Sequence, residues 1–219
     1  LQAAFGESLQ QRLQRIRFDG RLDDPAEALF PAPGAMTSYG GVRLAAGPDH
    51  FGATVWDQAH GCRFRNIDGA GAVLGDWHTV ANRHCGSLRS TPTGFSLFTW
   101  DWGPDRERRL LRLDAQGNQT HRSDPIPALG GEVNWWATLR LSDGDYVVAG
   151  MHEGWDPLEI HTQRLDPDGV PRTDPEPIVV LDHPARRVRL VETPDGLLAG
   201  WYEEASPDLH YQIQRVVVM

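Results

Sequence analysis

One pattern of residues recurs along this chain about every 50 residues, and a period of that size constrains the fold more than any local motif. A run of small and apolar residues reaches a large side chain, and a carboxylate follows closely. The five runs read LQAAFGE at 1–7, FGATVWD at 51–57, FSLFTWD at 95–101, YVVAGMHE at 146–153 and LLAGWYEE at 197–204. Copies at this spacing indicate one supersecondary unit repeated along the chain.

Two turn signals complete each unit. Asp followed by Gly within three residues occurs in RFDG at 17–20, NIDGAG at 66–71, RLDAQG at 112–117 and RLDPDG at 164–169. A second reversal precedes the apolar run in GPDH at 47–50, TPTG at 91–94, SDGD at 142–145 and TPDG at 193–196. Asp bonds to its own backbone and Gly supplies positive φ, so these segments indicate hairpin turns. Each unit therefore reads as four antiparallel strands, the size of one propeller blade.

We predict an all-β fold, a β-propeller of four-stranded antiparallel blades with about five repeats, in which residues 1–219 form a single domain. Complete blades are predicted at 41–80, 86–128 and 133–181, and partial blades at 1–30 and 186–219. The strand count leaves two alternatives, an irregular five-bladed ring or a fragment of a larger propeller. The chain begins with Leu1 rather than Met, which favours the fragment.

Composition limits the partners. The net charge of −9 argues against nucleic acid, because backbone phosphates need a basic surface. No apolar run approaches the roughly 20 residues that span a bilayer, so no membrane insertion is predicted. The sequence gives no indication of an oligomeric state.

The chain has two cysteines, Cys62 and Cys85. Their spacing suits one disulfide across adjacent strands, which forms in an oxidising compartment, and two buried free thiols are the alternative. With the disulfide, the sequence predicts an extracytoplasmic, secreted protein.

The segments TPDGLLAGWYEE at 193–204 and IHTQRLDPDGVPRTDP at 160–175 resemble secreted bacterial β-propeller repeat proteins, and looser similarity covers nearly the whole chain. That group includes sialidase-like and other glycosidase relatives together with many uncharacterised proteins. The resemblance implies the fold. The sialidase Asp-box, Ser-x-Asp-x-Gly-x-Thr-Trp, does not occur in this sequence, which weakens any transfer of activity.

The candidate site comes from topology. In a four-stranded meander, the loops between second and third strands lie at the same end as the connections between units, and here they vary from unit to unit. Carboxylates after the second strands are the catalytic candidates: Asp57, Asp101, Glu153 and Glu203. The ligand-binding candidates are Tyr39, Trp102, Trp135, Trp155, His152, His183, Arg186 and Arg187. Aromatic rings stack on sugars while charged groups bond to hydroxyls, which suits a glycan. Trp56, Trp100 and Trp201 are predicted to pack in the core.

Two functions stay open. We predict a non-enzymatic, extracytoplasmic recognition or scaffold module that binds glycan or protein through the variable loops. The alternative is a glycoside hydrolase or sialidase-like enzyme that uses a pair of these carboxylates. Equivalent carboxylates in every unit favour the binding module, because an active site needs asymmetry. No metal or cofactor is predicted, since the sequence has neither a calcium loop nor metal-ligand spacing of Cys and His.

Overall fold

The structure, a computed structural model, describes residues 12–13, 27–28, 42–57, 59–101, 107–126, 133–152, 158–183, 185–204 and 209–216. At 12–13, 27–28, 133–136, 152, 185–187, 203–204 and 209–216 it gives the position on a strand without the side chain. These described residues form strands and turns and contain no helix. Accordingly, no helix within the described ranges is suited to crossing a membrane.

The strands are arranged in five sheets. The short strands β1 (Arg12–Leu13) and β2 (Glu27–Ala28) pair with each other. The first four-stranded sheet contains β3 (Arg43–Ala46), β4 (Phe51–Asp57), β5 (Gly61–Ile67) and β6 (Val73–Ala81). The second contains β7 (His84–Thr91), β8 (Gly94–Trp100), β9 (Arg108–Asp114) and β10 (Gln119–Arg122). The third contains β11 (Val133–Arg140), β12 (Tyr146–His152), β13 (Leu158–Leu165) and β14 (Glu176–Leu181). The last is three-stranded, with β15 (Ala185–Thr193), β16 (Gly196–Glu204) and β17 (Leu209–Val216).

Each of these larger sheets is an antiparallel meander whose strands follow chain order. The predicted all-β fold of antiparallel four-stranded sheets is therefore confirmed. The chain forms two compact units, residues 1–99 with 112–120 and residues 100–111 with 121–219. The single propeller domain over 1–219, with its five blade boundaries, stays a prediction.

The Asp-Gly segments build one turn three times, between the third and fourth strands of each four-stranded sheet. In each copy a glycine N–H donates to the carbonyl of the aspartate three residues earlier, at 3.1 Å for Asp68, 3.0 Å for Asp114 and 3.0 Å for Asp166. Each aspartate Oδ1 also accepts the N–H groups two and four residues later. The glycines have φ angles between 86° and 94°, a conformation that residues with a Cβ rarely adopt. Three of the four predicted Asp-Gly hairpin turns are confirmed, and the fourth, RFDG at 17–20, lies outside the described residues.

The turn glycines also pack against the preceding sheet. A Cβ at Gly117 would lie 2.1 Å from the Phe64 ring on β5, and one at Gly169 would lie 3.0 Å from the Leu110 Cβ on β9. Phe64 and Leu110 occupy equivalent places, each four residues before the aspartate of its own turn. The same close approach is thus made twice by equivalent residues, and it requires glycine for space as well as for φ.

Histidines on the fourth strands reach the same turns. His78 Nε2 on β6 lies 3.1 Å from the carbonyl oxygen of Gly117, and His121 Nε2 on β10 lies 3.1 Å from that of Asp168. Because a carbonyl only accepts, each ring donates its Nε2–H. These hydrogen bonds accompany the glycine contact in both copies.

The second strands form the centre of the core. Val55 on β4, Leu97 on β8 and Val148 on β12 are fully buried, and consecutive residues around them are buried too. Burial on both faces of a strand follows when sheets stack face to face. Of the predicted core tryptophans, Trp201 is buried, whereas Trp56 and Trp100 are half-buried.

Candidate functional site

The hairpin tip at residues 57–61, between β4 and β5, carries the first predicted carboxylate. The backbone N–H of His60 donates to the carbonyl oxygen of Asp57 at 3.2 Å, which closes the turn. Gly61 follows with a φ of 76°, and a Cβ there would lie 2.3 Å from the carbonyl oxygen of Ala81. A side chain at this position would be both strained and blocked, so the turn depends on Gly61.

The Asp57 side chain is 3% exposed, and both of its carboxylate oxygens are engaged. Oδ1 accepts the backbone N–H of Ala59 at 2.9 Å. Oδ2 lies 2.7 Å from Nδ1 of His60 and 3.7 Å from Nη1 of Arg63. The His60 side chain, in contrast, is 58% exposed. A buried carboxylate therefore holds an exposed imidazole at the tip.

The electrostatics of this cluster favour an ionised carboxylate. Burial acts to raise the pKa of Asp57, but the hydrogen bonds from His60 and the Ala59 N–H, with the charges of His60 and Arg63, outweigh it. The pKa of Asp57 is lowered from 3.8 as a result. At neutral pH Asp57 is an acceptor only, so Nδ1 of His60 carries the proton of their hydrogen bond.

The end of β6 and the start of β7 pack against the β4–β5 hairpin. The Thr79 hydroxyl donates to the carbonyl oxygen of His60 at 3.1 Å. The Trp56 indole stacks on the His84 ring with centroids 4.1 Å apart and an interplanar angle of 19°. The hydrogen bond from Thr79 and the ring contact with His84 hold β6 and β7 against the hairpin, and β7 is also joined to it by a covalent bond.

That bond is the disulfide between Cys62 and Cys85, whose Cα atoms lie 5.1 Å apart. The predicted disulfide is confirmed, but its predicted location across adjacent strands is wrong. Cys62 lies on the inner strand β5 of the first sheet, and Cys85 lies on the edge strand β7 of the second. Sequence spacing does not distinguish neighbours within a sheet from strands of successive sheets, because both place Cα atoms within bonding range.

The other predicted site residues fall into three groups: those outside the described residues, those with a strand position only, and those described with their side chains. Tyr39, Trp102, Glu153 and Trp155 lie outside the described residues. Trp135, His152, Arg186, Arg187 and Glu203 have a position on a strand only. Asp101 directly follows β8, is half-buried, and donates its backbone N–H to the carbonyl oxygen of Glu107 at 3.1 Å. His183 is exposed between β14 and β15.

Strand register gives a partial test of convergence. In the third sheet, Trp135 is opposite Met151 and His152 is opposite Val133, so both candidates lie at the same end of that sheet. In the last sheet, Arg186 is opposite Tyr202 and Glu203 is opposite Ala185. Within each of these two sheets the named candidates lie at one end. A single binding site that contains all of them stays a prediction.

A second charged cluster lies at the other end of the third sheet. Arg164 donates from Nε to Asp145 at 2.8 Å and from Nη2 to Asp143 at 2.5 Å, and Arg172 Nε lies 2.8 Å from Asp145. The hydrogen bond to Asp145 is the main cause that raises the pKa of Arg164, although burial opposes it. This cluster ties the turn at 142–145 to β13, which is a structural role. Within the described ranges, no three His, Cys, Asp or Glu side chains are placed to hold a metal ion.

Sequence reasoning missed the exposed member of the hairpin tip, His60, and its neighbour His84. The available signal was a histidine three residues after an aspartate and directly before a glycine, in DQAHG at 57–61. Asp57 of this segment was predicted as a catalytic candidate, whereas the histidine three residues later was not considered.

Comparison with known proteins gives a likeness of structure. No protein-family model matches the chain, and no curated protein sequence matches it. An endo-arabinase from Bacteroides thetaiotaomicron is similar over 96% of this chain and 87% of its own, with 13% identity and a TM-score of 0.54. A provisionally assigned exo-β-1,3-galactanase from Bifidobacterium bifidum is similar over 93% of this chain and 71% of its own, with 11% identity and a TM-score of 0.51. A puromycin hydrolase is similar over 82% of this chain but only 31% of its own, with 16% identity and a TM-score of 0.53. At these identities the similarity is one of fold alone, and two of these three proteins are named for carbohydrate substrates.

Proposed function

We propose that this chain acts on carbohydrate as a glycoside hydrolase. The observation that supports the proposal is the similarity of fold to an endo-arabinase over 96% of this chain and to a provisionally assigned galactanase over 93%. From the residues, a non-enzymatic binding module was the preferred interpretation. The structural neighbours favour the enzyme alternative instead.

The carboxylates are assigned by their surroundings. Glycoside cleavage commonly uses two carboxyl groups about 5 to 9.5 Å apart, one of them a proton donor. Asp57 does not suit the donor role, because its lowered pKa keeps it ionised and both its oxygens are engaged. We therefore assign the acid and its partner to two of Asp101, Glu153 and Glu203, of which the first two follow a second strand in sequence and Glu203 lies near the end of one.

The proposal includes a propeller and a location outside the cytoplasm. The repeated packing of a turn glycine on the preceding sheet supports the propeller, since one packing step applied repeatedly arranges sheets around an axis. The Cys62–Cys85 disulfide supports the location, since such bonds persist in oxidising compartments.

The test is turnover of a panel of aryl arabinosides and galactosides and of arabinan and galactan, followed by chromophore or reducing-sugar release. We expect two of the variants Asp101→Asn, Glu153→Gln and Glu203→Gln to lose about 10²- to 10⁴-fold in kcat. Asp174→Asn, which changes an exposed carboxylate before β14, is the matched control and should retain full turnover. Lack of turnover of every substrate by the intact chain would refute the proposal, as would full turnover by all three variants.

Non-enzymatic recognition of a glycan or protein is the second candidate. The observation in its favour is that Asp57, one of the four recurring carboxylates, is fully used by its own turn. Binding of a glycan without turnover, lost on joint replacement of Trp102, Trp135 and Trp155 by Ala, would support this candidate over the enzyme.

A further inference from the structure

The geometry of the hairpin tip determines which nitrogen of the exposed His60 ring faces Asp57. Nδ1 of His60 faces the buried Asp57 carboxylate at 2.7 Å, while the side chain as a whole is 58% exposed. An ionised carboxylate has no proton to give, so the shared proton belongs to Nδ1. In the neutral ring, Nε2 then carries a lone pair and no hydrogen. Nε2 is therefore a hydrogen-bond acceptor.

The turn that carries this ring is held by several contacts. The Thr79 hydroxyl donates to the His60 carbonyl oxygen. Arg63 lies 3.7 Å from the carboxylate oxygen that faces the ring, and it donates to the carbonyl oxygen of Trp77 at 2.9 Å. The Cys62 disulfide follows directly after the turn. The turn is thus ordered by folding, which lowers the entropy cost of binding a ligand there.

When the His60 ring is neutral, its Nε2 is a hydrogen-bond acceptor at a loop tip, which suits a hydroxyl-bearing ligand. Sugar hydroxyls donate readily, and a nitrogen lone pair held in place accepts such a proton without a change of charge. An anionic ligand is less well matched, since Nδ1 of the same ring lies 2.7 Å from the Asp57 carboxylate.

We propose that His60 accepts a hydrogen bond at Nε2 from a hydroxyl group of the carbohydrate ligand, and that Asp57 is the positioning residue that holds the ring in this tautomer. This assignment rests on the proposed carbohydrate function for the identity of the ligand. The tautomer of His60 is independent of that function.

The test uses two-bond ¹H–¹⁵N correlation spectra of the intact chain labelled with ¹⁵N in histidine, recorded over a pH series. The tautomer is determined at the alkaline end of the series, at which the histidine signals no longer change with pH. His60 is assigned from the signal lost in His60→Phe, which leaves the buried carboxylate in place. We expect the proton on Nδ1 and a bare Nε2. His161 is the internal control, because its Nε2 faces Glu159 at 2.8 Å and should carry the proton instead. A proton on Nε2 of His60, or equal populations of both tautomers, would overturn the proposal whatever the protein's function.

The ligand arm adds arabino- and galacto-oligosaccharides. The expected result is a shift of the His60 Nε2 signal on binding, an unshifted His161 signal, and an affinity about tenfold weaker in His60→Phe, the worth of one hydrogen bond. Glu159→Gln is the matched control and should bind as the unchanged chain does. In Asp57→Asn, where the protein folds, the tautomer preference should be lost.

Two results separate this proposal from the proposed function. Oligosaccharides that bind or are cleaved without any change at His60 would overturn the assignment of His60 and leave the carbohydrate function standing. No response to any carbohydrate would overturn the carbohydrate function and, with it, the sugar-facing role of Nε2.

Discussion

Two turns in this protein begin with an aspartate that binds its own loop, yet they present different groups to their surroundings. In the turn at 114–118, Asp114 accepts the N–H groups of Gln116 and Asn118 at 2.9 and 2.8 Å, and the Asn118 amide at 2.9 Å. In the hairpin tip, Asp57 accepts one N–H group and the ring of His60. Hydrogen bonds overcome burial and lower the pKa of both aspartates.

The difference lies in where glycine stands. Gly117 is three residues after its aspartate, where it packs on the preceding sheet. In the hairpin tip that place belongs to His60, and Gly61 comes one residue later. Because the glycine comes one residue later, the position three residues after the aspartate can carry a side chain, and the ring of His60 there turns back to the Asp57 carboxylate. The comparison teaches that an aspartate-led turn serves as scaffold or as candidate site according to the residue three positions after the aspartate.

The largest effect is expected at Gly117. Gly117→Ala places a Cβ 2.1 Å from the Phe64 ring and imposes a φ of 86° on alanine. We expect the free energy of unfolding to fall by about 3 kcal/mol, the sum of strain and overpacking. Gly75→Ala is the control, with a φ of 67° and no atom within 4 Å of its Cβ, and should cost about 1 kcal/mol. Urea denaturation measures both. Equal losses would contradict the role given to packing in the scaffold turn.

A similar loss is expected when the disulfide beside the hairpin tip is removed. The bond closes a separation of 23 residues, and loss of such a link costs about 3 kcal/mol of unfolding free energy. Denaturation with and without reductant measures it, and the double variant Cys62→Ala, Cys85→Ala should be insensitive to reductant. Hydrogen exchange should quicken at 59–61 and not at 116–118. Faster exchange at both turns would show that the bond supports the sheets in general rather than the hairpin tip.

The smallest effect is expected on acid stability. Because the folded pKa values of Asp57 and Asp114 lie below 3.8, the unfolded chain binds more protons in that range. The stabilisation is present above pH 3.8 and is lost as the pH falls through the folded values. Asp57→Asn and Asp114→Asn should each cost about 1 kcal/mol at neutral pH and flatten the acid limb of stability. Urea midpoints across the acid range provide the measurement, and an unchanged limb in both variants would exclude this cause.

Much of the fold could be predicted because the turns carry their own chemistry. The reversal at 193–196 is observed as a pairing of Thr193 with Gly196, and the one at 142–145 joins β11 to β12. Asp and Gly mark such turns by φ and hydrogen bonding, which depend on neighbouring residues only. The disulfide partners could also be predicted, because the chain has two cysteines.

The remainder depends on contacts between distant segments. That Cys62 and Cys85 lie on different sheets follows from how successive sheets stack, which spacing does not encode. His60 is a candidate because its ring faces a buried carboxylate, a contact that the sequence around an exposed histidine does not indicate. The preference for an enzyme came from similarity of overall structure, which no motif in the sequence records.

The glycine contact between successive sheets has a consequence for how such a chain changes length. The second sheet carries both halves of the joint, Leu110 on its third strand and Gly117 in the turn that follows, and their partners are Gly169 of the third sheet and Phe64 of the first. A gene duplication that copies a whole unit would therefore supply a matched pair of surfaces at once. An insertion of part of a unit would separate the bulky residue from the glycine. We therefore expect such chains to gain or lose whole units during evolution.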